Sequence, residues 1–129
     1  MTRFFAAIIG CAAAAIVVAS APASAQAVRT GTGNGAVLRT LDKTSGEVID
    51  VEMSVGQTMA YGPLQVTLVE CRFPANNPTG DAFGLIQIVD AREVKELFAG
   101  WMVASSPALN ALEHRRYDVW LLRCMTAGN

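Results

Sequence analysis

Apolar and polar positions divide this chain into three regimes. Phe4 to Ala19 is an unbroken apolar run, Gln26 to Gly35 (QAVRTGTGNG) is small, polar and glycine-rich, and from Ala36 onward apolar positions recur mainly with period two. A period of two marks strands, whose side chains alternate between the two faces of a sheet. Val37 to Leu41 and Glu47 to Met53 read as a hairpin, joined by Asp42-Lys43-Thr44-Ser45-Gly46 with Gly46 at the position that needs a positive φ. Val55 to Tyr61 adds a short strand before the Gly62-Pro63 turn. In Leu64 to Arg72, Leu64, Val66 and Leu68 share one face with Glu70, while Gln65, Thr67, Val69 and Cys71 share the other. Phe73 to Gly80, with two prolines, reads as a loop. Ala82 to Val89 is a strand apolar enough to be central, Arg92 to Glu96 a charged turn or short helix, and Leu97 to Ala104 a strand whose Gly100 suggests a bulge or a close approach.

One helix is expected. Ser106 suits an N-cap, Pro107 the first helical position, and Leu109 with Leu112 makes an apolar stripe that should end by Arg115 or Arg116. Tyr117 to Cys124 is the last strand, with Trp120 and Leu122 on the face of Cys124. The expected fold is mainly β: a small antiparallel β-sandwich or barrel of six to seven strands, with one short helix near the C-terminus. An immunoglobulin topology is not expected, because Leu122 stands where that fold places a tyrosine two residues before its second cysteine.

The first regime changes the compartment. Arg3 ahead of the apolar run and Ala23-Ser24-Ala25 after it form the three-part pattern of a secretory signal, with cleavage after Ala25. A membrane anchor would need roughly 20 apolar residues and this uncharged run has about 16. A lipid-attachment reading of Ile8-Ile9-Gly10-Cys11 would leave too short a leader before Cys11. The expected organisation is residues 1–25 a cleavable signal, 26–35 a flexible leader, and 36–129 a single β-rich domain, periplasmic or secreted. About 100 residues remain, which suits one domain. The formal net charge of −1 becomes one unit more negative when Arg3 leaves, with no long run of either sign. Neither nucleic acid nor an anionic membrane is implied as a partner, and the mature chain contains no membrane span. Cys11 departs with the signal. Cys71 and Cys124 then read as one structural disulfide rather than a redox pair, since the C-x-x-C spacing is absent.

Candidate chemistry is sparse. Ser105 or Ser106 with His114 and Asp118 could supply the residue types of a hydrolase, but no G-x-S-x-G elbow is present and Ser106 is explained as a cap. Asp42, Glu47, Asp50 and Glu52 could gather round a hard cation, yet they lack the order of a calcium loop. Glu70 and Asp81 could in principle serve a glycosidase, with Glu70 reading better as a partner of Arg72 or Arg123. The glycines at 31, 33 and 35 do not have phosphate-loop spacing. No metal or other cofactor is expected. Trp101, beside Gly100, is the first candidate for an exposed binding anchor.

Several short stretches together carry a resemblance: Ala36 to Lys43 (AVLRTLDK), Tyr61-Gly62-Pro63-Leu64, Glu70-Cys71-Arg72, Asp81-Ala82-Phe83, Gly100-Trp101-Met102, Ser105 to His114 (SSPALNALEH) and Tyr117-Asp118-Val119-Trp120. They resemble a family of small secreted bacterial proteins, typical of alphaproteobacteria, defined as a domain of unknown function (DUF 2155). The likeness spans nearly the whole mature chain; it departs where Arg115 stands in place of an expected proline. It implies an envelope location and a compact domain, and brings no catalytic residues. The expected function is a non-enzymatic binding or assembly-support module for an envelope protein partner, with Trp101, Ser106, His114 and Tyr117 as binding candidates. The alternative is a small envelope hydrolase acting on cell-wall or glycan substrate.

Overall fold

The structure, a computed structural model, describes residues 29–127. The expected signal at residues 1–25 and the first residues of the expected leader lie outside the described residues. Eight strands run through the rest: β1 (Thr30–Thr32), β2 (Gly35–Asp42), β3 (Val48–Ser54), β4 (Thr58–Tyr61), β5 (Leu64–Pro74), β6 (Phe83–Asp90), β7 (Lys95–Val103) and β8 (Tyr117–Met125). All pairings are antiparallel. One sheet has the order β1-β5-β6-β7, with β4 also on β5; the other has the order β3-β2-β8. The β2–β3 hairpin closes through Gly46 at φ 77°, as its turn chemistry requires.

Period-two patterning supplies one apolar face from each sheet, and the two faces meet in a single core. Leu38, Met53, Val119 and Leu121 come from the three-stranded sheet, and Leu64, Val66, Leu68, Ile86, Ile88 and Met102 from the other; all are buried. Each such aliphatic side chain contributes about 1.5–3 kcal/mol relative to exposure. Cys71 of β5 is bonded to Cys124 of β8, with Cα atoms 5.7 Å apart, so the bridge staples one sheet to the other.

Strict alternation would have turned the two cysteines away from this core, and bulges correct it. In β5 the register slips between Leu68 and Glu70, leaving Val69 as the extra residue. In β8, Leu121 and Arg123 oppose consecutive residues of β2, so Leu122 is the extra one. An extra residue reverses the facing of everything beyond it. Cys71 therefore joins the face of Leu64, Val66 and Leu68, and Cys124 the face of Val119 and Leu121. The expected faces, Cys71 opposite those residues and Cys124 with Trp120 and Leu122, are thus corrected.

Other expectations also change. Eight strands replace six or seven, because the glycine-rich segment read as a leader contains β1 and opens β2. Its glycines serve close approach rather than slack: a Cβ at Gly33 would strike the Met125 carbonyl, and one at Gly35 the Met53 carbonyl. β5 continues through Phe73 to Pro74, where β1 pairs with it. Gly100 marks no bulge; the extra residue of β7 is Leu97.

The helix expected from Ser106 is a three-residue 3-10 turn, Pro107–Leu109. Ser106 makes no side-chain cap and Asn110 is already extended, at φ −150° and ψ 96°. Leu109 and Leu112 do not form one stripe: Leu109 is 76% exposed while Leu112 is drawn into the core. Burying Leu112 takes the place of a second helical turn.

Candidate functional site

Each sheet has an end strand, β7 in one and β8 in the other, and the connection between them, residues 104–116, is pinned by polar side chains. Asp81 accepts hydrogen bonds from the Ser105 amide (3.0 Å), the Ser105 hydroxyl (2.8 Å) and the Ala82 amide (2.8 Å). Burial pushes the Asp81 carboxyl up, but these donors outweigh it and hold the group below the usual carboxylate range. Asn110 Nδ2 donates to the Trp101 carbonyl at 2.9 Å. Gly100 permits that approach, since a Cβ there would sit 2.9 Å from the same nitrogen. Held so, the connection walls a groove of about 490 Å³ between β7 and β8. Met102, Val103, Ala108, Ala111, Trp120 and Leu121 make it mostly apolar, and Asp118 is the one charged residue in its lining.

The groove is bordered by strand edges. The Lys43 amide donates to the Arg116 carbonyl at 2.8 Å, which sets the ladder phase between β2 and β8. In that phase the N–H and C=O groups of Tyr117, Val119 and Leu121 point away from β2, to the free edge. The same reasoning from the Ala104 amide on the Ala82 carbonyl (2.9 Å) places the Trp101 carbonyl on the free edge of β7. Side chains occupy these edges. His114 Nδ1 accepts from the Tyr117 amide (3.0 Å) and the Arg116 amide (3.0 Å), Asp118 Oδ1 accepts from the Val119 amide (3.0 Å), and Asn110 holds the Trp101 carbonyl. Strand edges left bare template unwanted pairing, and these side chains cover part of each edge.

The four binding candidates do not converge on the groove. Trp101 is 39% exposed and stands in a separate shallow hollow with Thr30, Arg72 and Phe83, although its carbonyl anchors the groove wall. Ser106 acts through its backbone, its carbonyl accepting from the Leu109 amide at 3.1 Å. Tyr117 is buried, edge-on to Tyr61 at 5.2 Å between centroids and covered by the Arg116 guanidinium at 5.2 Å. His114 lines a polar hollow of about 650 Å³ together with Tyr117 and charges of both signs. Its Nδ1 is committed to two amides, so the neutral ring carries its proton on Nε2.

The other constellations are likewise not assembled. The Ser105 hydroxyl donates to Asp81 rather than to His114, and Asp118 caps its own neighbour's amide. Asp42 is paired with Arg116 and Asp50 with Arg39; each pairing holds its carboxyl below the usual range. Glu70 accepts from Arg72 Nε at 2.6 Å, as the sequence suggested, and Arg72 reaches on to the Thr30 hydroxyl of β1. Sequence reasoning missed Asn110 and named Asp81 and Asp118 only as candidate catalytic carboxylates, whereas all three shape the groove and its edges. The available signal was positional: each is an Asx residue beside a chain reversal or strand end, where its side chain can reach backbone groups.

Fold and site together define a small β domain of two antiparallel sheets, stapled by one disulfide, with an apolar groove between its end strands. The chain belongs to a family described as uncharacterized proteins conserved in bacteria (DUF2155), whose model matches residues 36–124. It is similar to an uncharacterized protein of Rickettsia prowazekii (strain Madrid E), 26% identical over 94 residues. That match covers 70% of this chain and 60% of the relative, so the chain spans somewhat less than two thirds of the relative's length. No solved structure matches. Among the described residues, no helix is long and apolar enough to cross a membrane.

Proposed function

We propose that this protein is a non-enzymatic binding module of the bacterial cell envelope, which seats apolar side chains of a protein partner between β7 and β8. The carrying observation is the groove itself. It is mostly apolar, large enough at about 490 Å³ for more than one side chain, and its wall is held by Asp81 and Asn110, whose hydrogen bonds go to backbone and hydroxyl rather than to any reacting group. Grooves of this kind, rimmed by a few placed polar groups, are where proteins bind ligands and partner segments. Export is supported by the N-terminal signal pattern and by a disulfide, which persists in oxidising compartments.

Ala108→Glu tests this reading. Ala108 is exposed and lines the groove, so a carboxylate there occupies the hollow without disturbing the core. Envelope proteins crosslinked to the wild type in native membranes should be lost with Ala108→Glu and retained with Trp101→Ala. Full retention by Ala108→Glu would refute a role for the groove.

A further inference from the structure

The binding groove just described is bordered by main chain as well as side chains, and this identifies the chemistry of what it takes. We propose that the partner enters as an extended polypeptide segment that adds a strand to the free edge of β8, with an apolar side chain in the groove and a basic side chain beside Asp118. The inference rests on the groove-binding reading above.

Three observations converge on it. First, β8 ends its sheet, and the N–H and C=O groups of Val119 and Leu121 face outward at strand spacing. Edges of this kind take extended peptides through main-chain hydrogen bonds, while pockets for alternate side chains supply selectivity. Second, the groove receives side chains along that same edge, because Val119, Trp120 and Leu121 are part of its lining. Third, the Val119 amide is held by a side chain, the Asp118 carboxylate at 3.0 Å, rather than by a neighbouring strand, so an incoming main-chain carbonyl has only that side chain to displace. The displaced carboxylate would then stand in a mostly apolar groove with no cation in its lining. A lysine or arginine on the incoming strand satisfies it, which gives the segment its charge. Pairing at an edge and neutralisation of Asp118 thus occur in one event. The His114 cap on Tyr117 limits the added strand to the stretch from Val119 onward.

The test uses the oxidised full-length protein and a displayed library of random dodecapeptides as the probe. Selected peptides should carry alternating apolar residues with a lysine or arginine, and should lose binding to Ala108→Glu. Each selected peptide is then resynthesised with N-methyl groups on alternate residues, in both phases. Strand addition predicts that one phase weakens binding about tenfold or more while the other leaves it unchanged, because only one set of amides faces β8. It also predicts slower amide exchange at Val119 and Leu121 in the complex. Asp118→Asn should remove about a tenfold advantage of the basic residue over alanine in the peptide. Equal binding by both methylated phases, with binding still lost in Ala108→Glu, would overturn strand addition and leave the groove reading standing. Selection of no peptide sensitive to Ala108→Glu would overturn both.

Discussion

Opening the disulfide gives the most demanding test of the physical account. Cys71 and Cys124 are separated by 53 residues and link strands of different sheets. Closing a loop of that length lowers the entropy of the unfolded chain enough to stabilise the fold by about 4 kcal/mol. Both sulfurs are buried, so the double variant Cys71→Ala with Cys124→Ala also loses packing, about 1 kcal/mol per site. Reduction in place should therefore cost about 4 kcal/mol and the double alanine variant about 5–6 kcal/mol. A domain of this size has roughly 5–15 kcal/mol in total, so the double variant should be close to unfolding. Urea titration followed by fluorescence of Trp101 and Trp120 measures both quantities. The slope m should also rise without the bridge, because the uncrosslinked denatured chain is more expanded. If oxidised and reduced protein differ by less than about 1 kcal/mol with the same slope, the bridge does not restrain the unfolded chain and the reasoning fails.

Other consequences are as direct. Val94 lies in the β6–β7 turn at φ 50°, 86% exposed, in a region that β-branched residues avoid. Val94→Gly should relieve about 1–2 kcal/mol of backbone strain, offset by up to about 1 kcal/mol of unfolded-state entropy, and raise the melting temperature by several degrees; a fall in that temperature would contradict the assignment. The carboxyls of Asp42, Asp50 and Asp81 are all held below their ordinary value. Their contribution is present above the unfolded-state value and lost as pH falls through the lower folded value, so stability should decline only below about pH 4; a loss between pH 7 and 5 would count against these pairings. Asp81→Ala should cost about 1–2 kcal/mol and speed amide exchange at Ser105, because it strands two backbone donors; unchanged exchange would show that Asp81 does not pin the groove wall.

Much of the fold was legible in the chain itself. Period-two alternation announced the β2–β3 hairpin, the turn at Gly46 and the strands containing Leu64, Ile86 and Leu121, because alternation is a property of each strand alone. The cysteine pair and the family likeness were equally readable, the first from the count and the second from the short motifs between Ala36 and Trp120. Of the site, the Glu70–Arg72 pair and the close approach at Gly100 were visible, and the groove was not. Its lining comes from β7, β8 and the turn between them, and Trp120 belongs to it rather than to the core beside the disulfide.

What escaped has a common cause. A bulge adds one residue to a strand only in relation to its partner, so no local pattern shows that Val69 and Leu122 are the extra residues. Glycine at 33 and 35 reads as slack until another strand lies against it. The segment after Ser106 has local signals for a helix, and burial of Leu112 with the Asn110 bond to β7 overrides them. Most of the strands, the turn at Gly46 and the pair of cysteines follow from local spacing and residue chemistry, and so were legible along the chain. Which faces met, which way the cysteines turned and where a groove opened were set by register between strands that lie far apart in the chain, which no local pattern carries.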